Sequence, residues 1–322
     1  MALPDPSHQE APCFEGVLAA VAALEPLLPP TPAWRYPRLD GAVGAEVVVK
    51  HENTQPTGAF KVRGGLALLA AAPRQRYEPG LVTASTGNHA QSIAYAARHH
   101  GVPALIVAPT SAPEVKLAAV RALGAEVVVH GDDMTAAMAH GRRLAEERGA
   151  WFVDPGGEPD IVHGHATVTH ELLTAHPDLE ALYVPVGSGT SAAGACLVRD
   201  TLAPGCAVIG VQSAQAPAAQ LTWARGVPTE APCRTRASGL ATGAPFALTQ
   251  RIMAGGLARF LLVDDDAIDD ARRLFATHAH TLAEGAGAAA LAGAGADPDR
   301  PGRIGVICSG GNADAAELAS LG

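Results

Sequence analysis

The 322-residue chain has few charged residues, few aromatic residues and few cysteines. Asp, Glu, Lys and Arg make up 17% of it, below the share of about a quarter that is common in soluble domains, and the net charge is -9. Without a basic cluster, the chain lacks the electrostatic footprint of a nucleic-acid-binding protein. The five cysteines are scattered and have no metal-ligand spacing, which predicts reduced thiols in a cytoplasm.

Long apolar runs are also absent, since the longest, such as residues 17–24, are much shorter than the ~20 residues that cross a bilayer. The first twelve residues lack the positive charge and apolar stretch of a signal peptide. We therefore expect a cytoplasmic protein with no membrane partner. What the chain does have is 48% hydrophobic residues and 35 glycines, enough for a large, closely packed core.

From Glu46 onward, short β-branched runs alternate with longer alanine-rich stretches, which is typical of an α/β fold with a mostly parallel sheet. Compact βα repeats predict an inserted small domain over residues 80–156, within a large cofactor-binding domain made of 1–79 and 157–322. Residues 214–250 lack periodicity and predict a long irregular segment. The predicted strands are 46–50, 81–84, 104–108, 125–129, 151–153, 181–186, 207–212, 259–263 and 303–308.

The first motif with chemical potential is residues 52–64, where a strand leads through Pro56 and Gly58 into a helix that begins near Lys61. The first turn of a helix and partial burial both lower the pKa of an amine, and a lysine of this kind is a nucleophile for carbonyl carbon. An ordinary exposed helix lysine fits the same spacing, and spacing alone does not decide between them.

Two further motifs place polar turns before helices. Residues 83–91 bring hydroxyl and N–H groups to a helix start, which suits a carboxylate, although a plain N-cap explains them equally well. Residues 183–194 form a Gly/Ser/Thr loop between a strand and a helix, which is typical of phosphate binding. Its match to a dinucleotide fingerprint through Gly187, Gly189 and Ala192 is weak, because Gln212 stands where an acidic residue is expected.

The fourth motif, residues 307–312, is a strand that runs into a glycine pair. A plain turn would explain it in isolation. All four motifs, however, follow predicted parallel strands, and ligands collect at the carboxyl ends of such strands. The agreement between the motifs is therefore the strongest indication of a site.

Taken together, these segments resemble the fold type II pyridoxal-phosphate enzymes, specifically the threonine/serine dehydratase and serine racemase family. The segments that carry the resemblance are 53–61, 85–89, 187–191, 239–241, 284–289 and 309–312. The resemblance implies a large, twisted, mostly parallel sheet domain with a smaller inserted α/β domain. It also implies pyridoxal 5′-phosphate as cofactor and a homo-oligomer, dimer or tetramer.

By this resemblance, Lys61 carries the cofactor, and Phe60 lies against its ring. Asn88 contacts the ring hydroxyl and Ser309 the pyridine nitrogen. The phosphate is assigned to Gly187, Ser188, Gly189, Thr190 and Ser191. The substrate carboxylate is assigned to Ser85, Thr86, Asn88 and His89.

The activity that the resemblance implies is elimination of water from a 3-hydroxy amino acid, giving a 2-oxo acid and ammonia. Threonine, serine and 3-hydroxyaspartate are all open as substrates, and Arg63 or Arg236 would favour the acidic one if either reached the site. Lys61 and Thr86 are the catalytic candidates. Thr86 stands where serine racemases have a second acid/base serine, a departure that disfavours racemisation unless the threonine hydroxyl takes the place of the serine. Racemisation and β-replacement are the alternatives within the same cofactor class.

Other expectations concern metals and a different enzyme class. Gln212 and Ser238 replace acidic residues of the cation-binding family members, so no metal is predicted. The pairs His163/His165 and His278/His280 are interpreted as structural, and Asp264 to Asp266 as a solvated helix start. A nicotinamide oxidoreductase is the distant alternative and rests on the 187–191 loop alone, while a catalytically silent binding protein is a third.

Overall fold

The computed structural model describes residues 11–321, which form two sheets with helices packed against them. The first ten residues, on which the expectation of no signal peptide partly rests, lie outside the described residues. The larger sheet has the order β1-β2-β10-β7-β8-β9, and the smaller has the order β5-β4-β3-β6. The strands are β1 (Ala33–Arg35), β2 (Glu46–His51), β3 (Leu81–Ala84), β4 (Ala104–Ala108), β5 (Glu126–Val129), β6 (Trp151–Phe152), β7 (Ala181–Pro185), β8 (Ala207–Ser213), β9 (Arg259–Val263) and β10 (Arg303–Cys308).

Helices connect almost all of these strands, and only β1 pairs in an antiparallel manner. No helix within residues 11–321 combines the length and apolar character that a membrane crossing requires. The helices are α1 (Phe14–Leu24), α2 (Pro37–Val43), α3 (Lys61–Ala71), α4 (Arg74–Tyr77), α5 (Asn88–His100), α6 (Glu114–Ala122), α7 (Met134–Arg148), α8 (Pro159–Ala175), α9 (Thr190–Leu202), α10 (Ala218–Arg225), α11 (Ala247–Gly256), α12 (Asp265–His278), α13 (Gly285–Ala296) and α14 (Ala315–Ala319).

Close packing on the larger sheet depends on the alanines and glycines of α13, which are buried over almost its whole length. A Cβ on Gly287 would collide with the Gly310 carbonyl oxygen, and one on Gly293 would collide with Val211. The strands beneath are buried on both faces, as expected for a parallel sheet covered by helices. This helix therefore approaches the sheet closely, next to β10, which ends at Cys308 just before Ser309.

Helix α3 joins the two sheets, because it packs against α5 on one side and α8 on the other. Its buried face belongs to a core shared with β3, β4 and β6. The strands of the smaller sheet all fall between residues 81 and 152, while those of the larger sheet lie before and after them. The division into domains at residues 80 and 156 stays a prediction.

The nine predicted strands are all present with bounds that differ by at most one residue at either end. The irregular segment predicted over 214–250 is partly wrong, because α10 and the first turn of α11 lie within it. Proline and glycine flank α10 closely, and these breakers hid an eight-residue helix from the periodicity. Strand β1 was missed because three residues carry no alternation that can be recognised.

Candidate active site

A cavity of about 370 Å³ lies where strands of both sheets end. It is lined by Ser85 after β3, Gly187 after β7 and Ser309 after β10. These are carboxyl ends of parallel strands, the edge at which α/β proteins bind their ligands. The residues predicted for the site all line this cavity: Phe60, Lys61, Ser85, Thr86, Asn88, His89, Gly187, Ser188, Gly189, Thr190, Ser191 and Ser309.

Lys61 begins α3 and reaches the glycine loop with its amine. Its Nζ lies 3.4 Å from Thr190 Oγ1 and 3.5 Å from Ser188 Oγ, and 5.0 Å from the centre of the Phe60 ring. Burial lowers the pKa of the Lys61 amine to about 8, because desolvation disfavours the charged form. About a tenth of this amine is therefore free base at pH 7, far more than of an ordinary lysine, and the free base is the form that acts as a nucleophile.

The loop 187–191 approaches other backbone so closely that glycine is needed. A Cβ on Gly187 would lie 2.5 Å from the Gly239 carbonyl oxygen, and Gly189 has a φ of +85°. Thr249 Oγ1 donates to the Ser188 carbonyl oxygen at 2.7 Å and holds the loop from behind. Because α9 begins at Thr190, its unpaired N–H groups face the same space, and this arrangement suits a phosphate.

The loop before α5 presents a second set of donors. The Gly87 N–H donates to Ser85 Oγ at 3.2 Å, and α5 begins at Asn88 with the open N–H groups of a helix start. His89 Nε2 lies 3.1 Å from Thr83 Oγ1, and that hydroxyl donates to the Val153 carbonyl oxygen. Burial and the nearby Lys61 lower the pKa of His89 to about 3, so this imidazole is neutral.

Glu284 and Lys116 are charged residues at the site to which the sequence analysis assigned no role. The carboxylate of Glu284 accepts a hydrogen bond from Asn88 Nδ2 and lies 3.6 Å from Lys116 Nζ. Lys116 also donates to Ser238 Oγ at 2.6 Å and lines the cavity. Burial raises the pKa of Glu284. Glu284 stands in a segment that carries the resemblance, whereas nothing in the sequence around Lys116 indicates its position.

Arg63 and Arg236, the two arginines that would favour an acidic substrate, do not line the cavity. Arg63 points away from it and is buried between the carboxylates of Glu52 and Glu171. Arg236 is exposed and pairs with Asp266 and Asp269 on α12. Neither is therefore a candidate for contacting substrate.

Among the histidines and aspartates interpreted as structural, His165 and Asp265 are buried at or near the site, whereas Asp264 is a helix cap. His165 is buried beside the cavity, where its Nδ1 lies 2.9 Å from Thr190 Oγ1 and its ring lies 4.6 Å from that of Phe60. Asp264 caps α12 as expected. Asp265 is not solvated: its buried carboxylate accepts from Ser213 Oγ, Thr235 Oγ1 and the Arg236 N–H, and thereby holds the loop before Ser238.

Metal binding has little support among the parts of the chain that the structure describes. Residues 11–321 contain no group of three or more His, Cys, Asp or Glu side chains able to hold an ion. Gln212 Oε1 accepts from the Gln220 N–H, and Ser238 is occupied by Lys116. The absence of a metal requirement stays a prediction.

Comparison with known proteins finds similarity over most of the chain. The family model described as pyridoxal-phosphate dependent enzyme matches residues 24–310. The chain belongs to this family. Its cofactor is pyridoxal phosphate, and the predicted recognition, cofactor and class of enzyme are confirmed.

Relatives within the pyridoxal-phosphate family include two ammonia-lyases. The L-threonine ammonia-lyase of Thermotoga maritima is 35% identical over 86% of this chain and 69% of its own length. The L-threo-3-hydroxyaspartate ammonia-lyase of a Pseudomonas species is 34% identical over 96% of this chain and 98% of its own. The solved structure of maize serine racemase is similar to this chain with a TM-score of 0.92 and 29% sequence identity. The match covers 96% of this chain and 96% of the racemase chain. The predicted fold type II architecture is confirmed.

Proposed function

We propose that this chain is an ammonia-lyase that eliminates water from a 3-hydroxy amino acid, with Lys61 holding the cofactor. The observation that carries the proposal is the position of the Lys61 amine, which lies inside the cavity between the glycine loop and the loop before α5. The names of the two ammonia-lyase relatives support this class of activity.

The residues present fit the cofactor. Positions 187 and 189 admit no Cβ without displacing their neighbours, so the loop keeps a backbone that can approach a phosphate closely, and Ser188, Thr190 and Ser191 line the cavity beside it. Phe60 would lie against the ring, Asn88 would donate to its hydroxyl and Ser309 would meet its nitrogen. When bound, the cofactor supplies an electron sink for the charge that develops at the substrate's Cα.

Lys61 is the group that moves the Cα proton. Once substrate has displaced it, its amine is a general base whose lowered pKa keeps part of it unprotonated near neutral pH. The donors at the start of α5, from Ser85 and Thr86 to Asn88, would bind the substrate carboxylate and fix the Cα–H bond relative to Lys61. Neutral His89 adds no charge there and serves to shape the wall.

The net reaction converts the 3-hydroxy amino acid into a 2-oxo acid and ammonia. The hydrogen on Cα and the hydroxyl on Cβ leave together as water, and the resulting enamine product tautomerises and is hydrolysed to a 2-oxo acid and ammonia. Ser309 favours this outcome over transamination, because a hydroxyl partner does not force the ring nitrogen to be protonated as a carboxylate would. Its single hydrogen here goes to the Ala286 carbonyl oxygen at 3.1 Å, and the hydroxyl would have to rotate away from that oxygen to donate to the ring nitrogen.

A second candidate activity, racemisation, rests on Thr86, whose hydroxyl-bearing side chain lines the cavity. Racemisation needs a second proton-transfer group on the face of Cα opposite Lys61. The similarity to maize serine racemase is consistent with such an activity. Thr86→Ala separates the two activities: racemisation should be abolished, whereas elimination should fall only as far as the loss of one contact to the substrate carboxylate weakens substrate binding.

The experiment is a screen of 3-hydroxy amino acids with the holoenzyme, in which ammonia, 2-oxo acid and the opposite enantiomer are measured in the same sample. We expect 2-oxo acid and ammonia in equal amounts. Lys61→Ala should abolish both. Turnover that persists in Lys61→Ala, or enantiomer exchange without ammonia, would contradict the proposal.

A further inference from the structure

Besides the residues assigned above, the cavity is lined by Met134, Met138, Pro155, Phe246 and Glu230. We refer to these five residues as the outer compartment. The two methionines and Phe246 are half-buried and Glu230 is exposed, which places them toward the solvent side of the cavity. None of them has a role in the reaction described above.

Four of the five residues of the outer compartment are apolar, and the neighbouring Thr135, which also lines the cavity, is uncharged. Met134 and Met138 are four residues apart on α7 and so share one face of that helix. The ring of Phe246 lies directly over Gly156, where any Cβ would collide with it, so the glycine makes room for the ring beside Pro155. Methionine side chains adapt to the shape of what they contact.

Positive charge that could bind a second substrate carboxylate is missing. Among the described residues that line the cavity, the only lysines are Lys61, which holds the cofactor, and Lys116, which is paired with Glu284. No arginine lines it, and Arg142, one turn beyond Met138 on α7, pairs with Asp154 at 2.8 Å.

Negative charge, by contrast, is present. The carboxylate-bearing side chain of Glu230 lines the cavity on its solvent side. A substrate with a carboxylate on Cβ would bring two like charges together and would leave its own charge without a partner. The outer compartment therefore suits an uncharged side chain.

We propose that the outer compartment receives the substrate's side chain and makes the enzyme prefer 3-hydroxy amino acids with an apolar Cβ substituent over 3-hydroxyaspartate. This inference rests on the proposed function. Membership of the family does not decide which Cβ substituent is preferred, because the relatives include lyases named for threonine and for 3-hydroxyaspartate.

The test compares kcat/KM of the holoenzyme for L-serine, L-threonine, L-threo-3-phenylserine and L-threo-3-hydroxyaspartate. We expect phenylserine to exceed hydroxyaspartate by about tenfold or more, the discrimination that apolar contacts in a pocket typically give. A smaller ratio, or the reverse order, would overturn this inference alone. Ammonia release from none of the four would overturn the proposed function instead.

A binding measurement gives a readout that does not depend on turnover. L-phenylalanine and L-aspartate have no β-hydroxyl to eliminate, and their binding is followed by the change in cofactor absorbance. We expect L-phenylalanine to bind about tenfold more tightly than L-aspartate. Equal affinities, or tighter binding of aspartate, would contradict the inference.

A charge-reversal pair tests the contribution of Glu230. In Glu230→Lys, kcat/KM for hydroxyaspartate relative to threonine should rise about fivefold or more at low salt. Glu147→Lys makes the same charge change on the exposed last turn of α7, outside the cavity, and should leave the ratio unchanged. A rise in both variants, or in neither, would show that Glu230 does not select substrates.

Discussion

The side-chain amide of Asn88 is held in one orientation by Glu284. Its Nδ2 donates to Glu284 Oε1 at 2.5 Å, and its Oδ1 accepts from Asn312 Nδ2 at 2.9 Å. Because a carboxylate only accepts hydrogen bonds, the Asn88 amino group must face Glu284. The second hydrogen of that amino group remains for the ring hydroxyl of the cofactor.

Glu284→Ala should therefore weaken cofactor binding. The substitution removes one of the two hydrogen bonds that orient the Asn88 amide and leaves Lys116 without its counter-charge. Losing a hydrogen bond to a buried charged group costs about 1.5–3 kcal/mol. We expect the dissociation constant for pyridoxal phosphate to rise at least tenfold, with a shifted cofactor absorbance band. Glu114→Ala, at an exposed carboxylate on α6, is the control. An unaltered affinity and spectrum in Glu284→Ala would refute this role.

Gly187→Ala should damage the phosphate cradle specifically. The new Cβ would press on the Gly239 backbone, which cannot yield as a flexible side chain can. We expect the affinity for pyridoxal phosphate to fall at least tenfold, as measured by equilibrium dialysis. Gly205→Ala is the matched control, since a Cβ there meets nothing within 4 Å. Equal affinity in the two variants would argue against the cradle.

Much of this site could be predicted because its residues follow strands that are easy to recognise. Lys61, Asn88, Gly187 and Ser309 each come shortly after a β-branched run, and the parallel arrangement brings the ends of those runs together. Local pattern and topology predicted that these residues meet at one site, and the family resemblance supplied the role of each.

The rest could not be predicted, because it depends on contacts between distant segments. Lys116 reaches Ser238, 122 residues away, and His165 reaches Thr190 from a helix whose sequence looks ordinary. Asp265 looked like part of a solvated acidic helix start, yet it is buried by a loop that precedes it by about thirty residues. Burial of this kind is a tertiary property that periodicity does not report.

Arg63→Ala should destabilise the protein strongly. Arg63 is buried and forms two hydrogen bonds each with Glu52 and Glu171. Its removal leaves the buried Glu52 without its ion-pair partner, while Glu171 keeps the ion pair with Lys50. Breaking such a pair costs about 3–5 kcal/mol, whereas an exposed pair is worth about 0–1 kcal/mol. Urea unfolding of Arg63→Ala and of Arg121→Ala, which breaks the exposed pair with Glu114, measures the difference. Similar losses in both would contradict the account.

The lowered pKa of Lys61 predicts a pH-dependent difference in stability between the cofactor-free protein and Lys61→Met. Between pH 8 and the ordinary lysine value of 10.5, the unfolded chain retains a proton that folded Lys61 has released. The wild type therefore gains stability relative to Lys61→Met as pH rises through that window, by roughly 2–3 kcal/mol between pH 7 and pH 10. Urea unfolding of both proteins at pH 7 and pH 10 measures the gain. A difference that does not vary with pH would mean that Lys61 titrates normally.

The most direct test of the central claim is reduction of the holoenzyme with borohydride, followed by peptide mapping of the phosphopyridoxyl label. The chain has only three lysines, Lys50, Lys61 and Lys116, so the assignment is unambiguous. We predict one label per chain, on Lys61. A label on Lys50 or Lys116, or no label in fully loaded protein, would contradict the account.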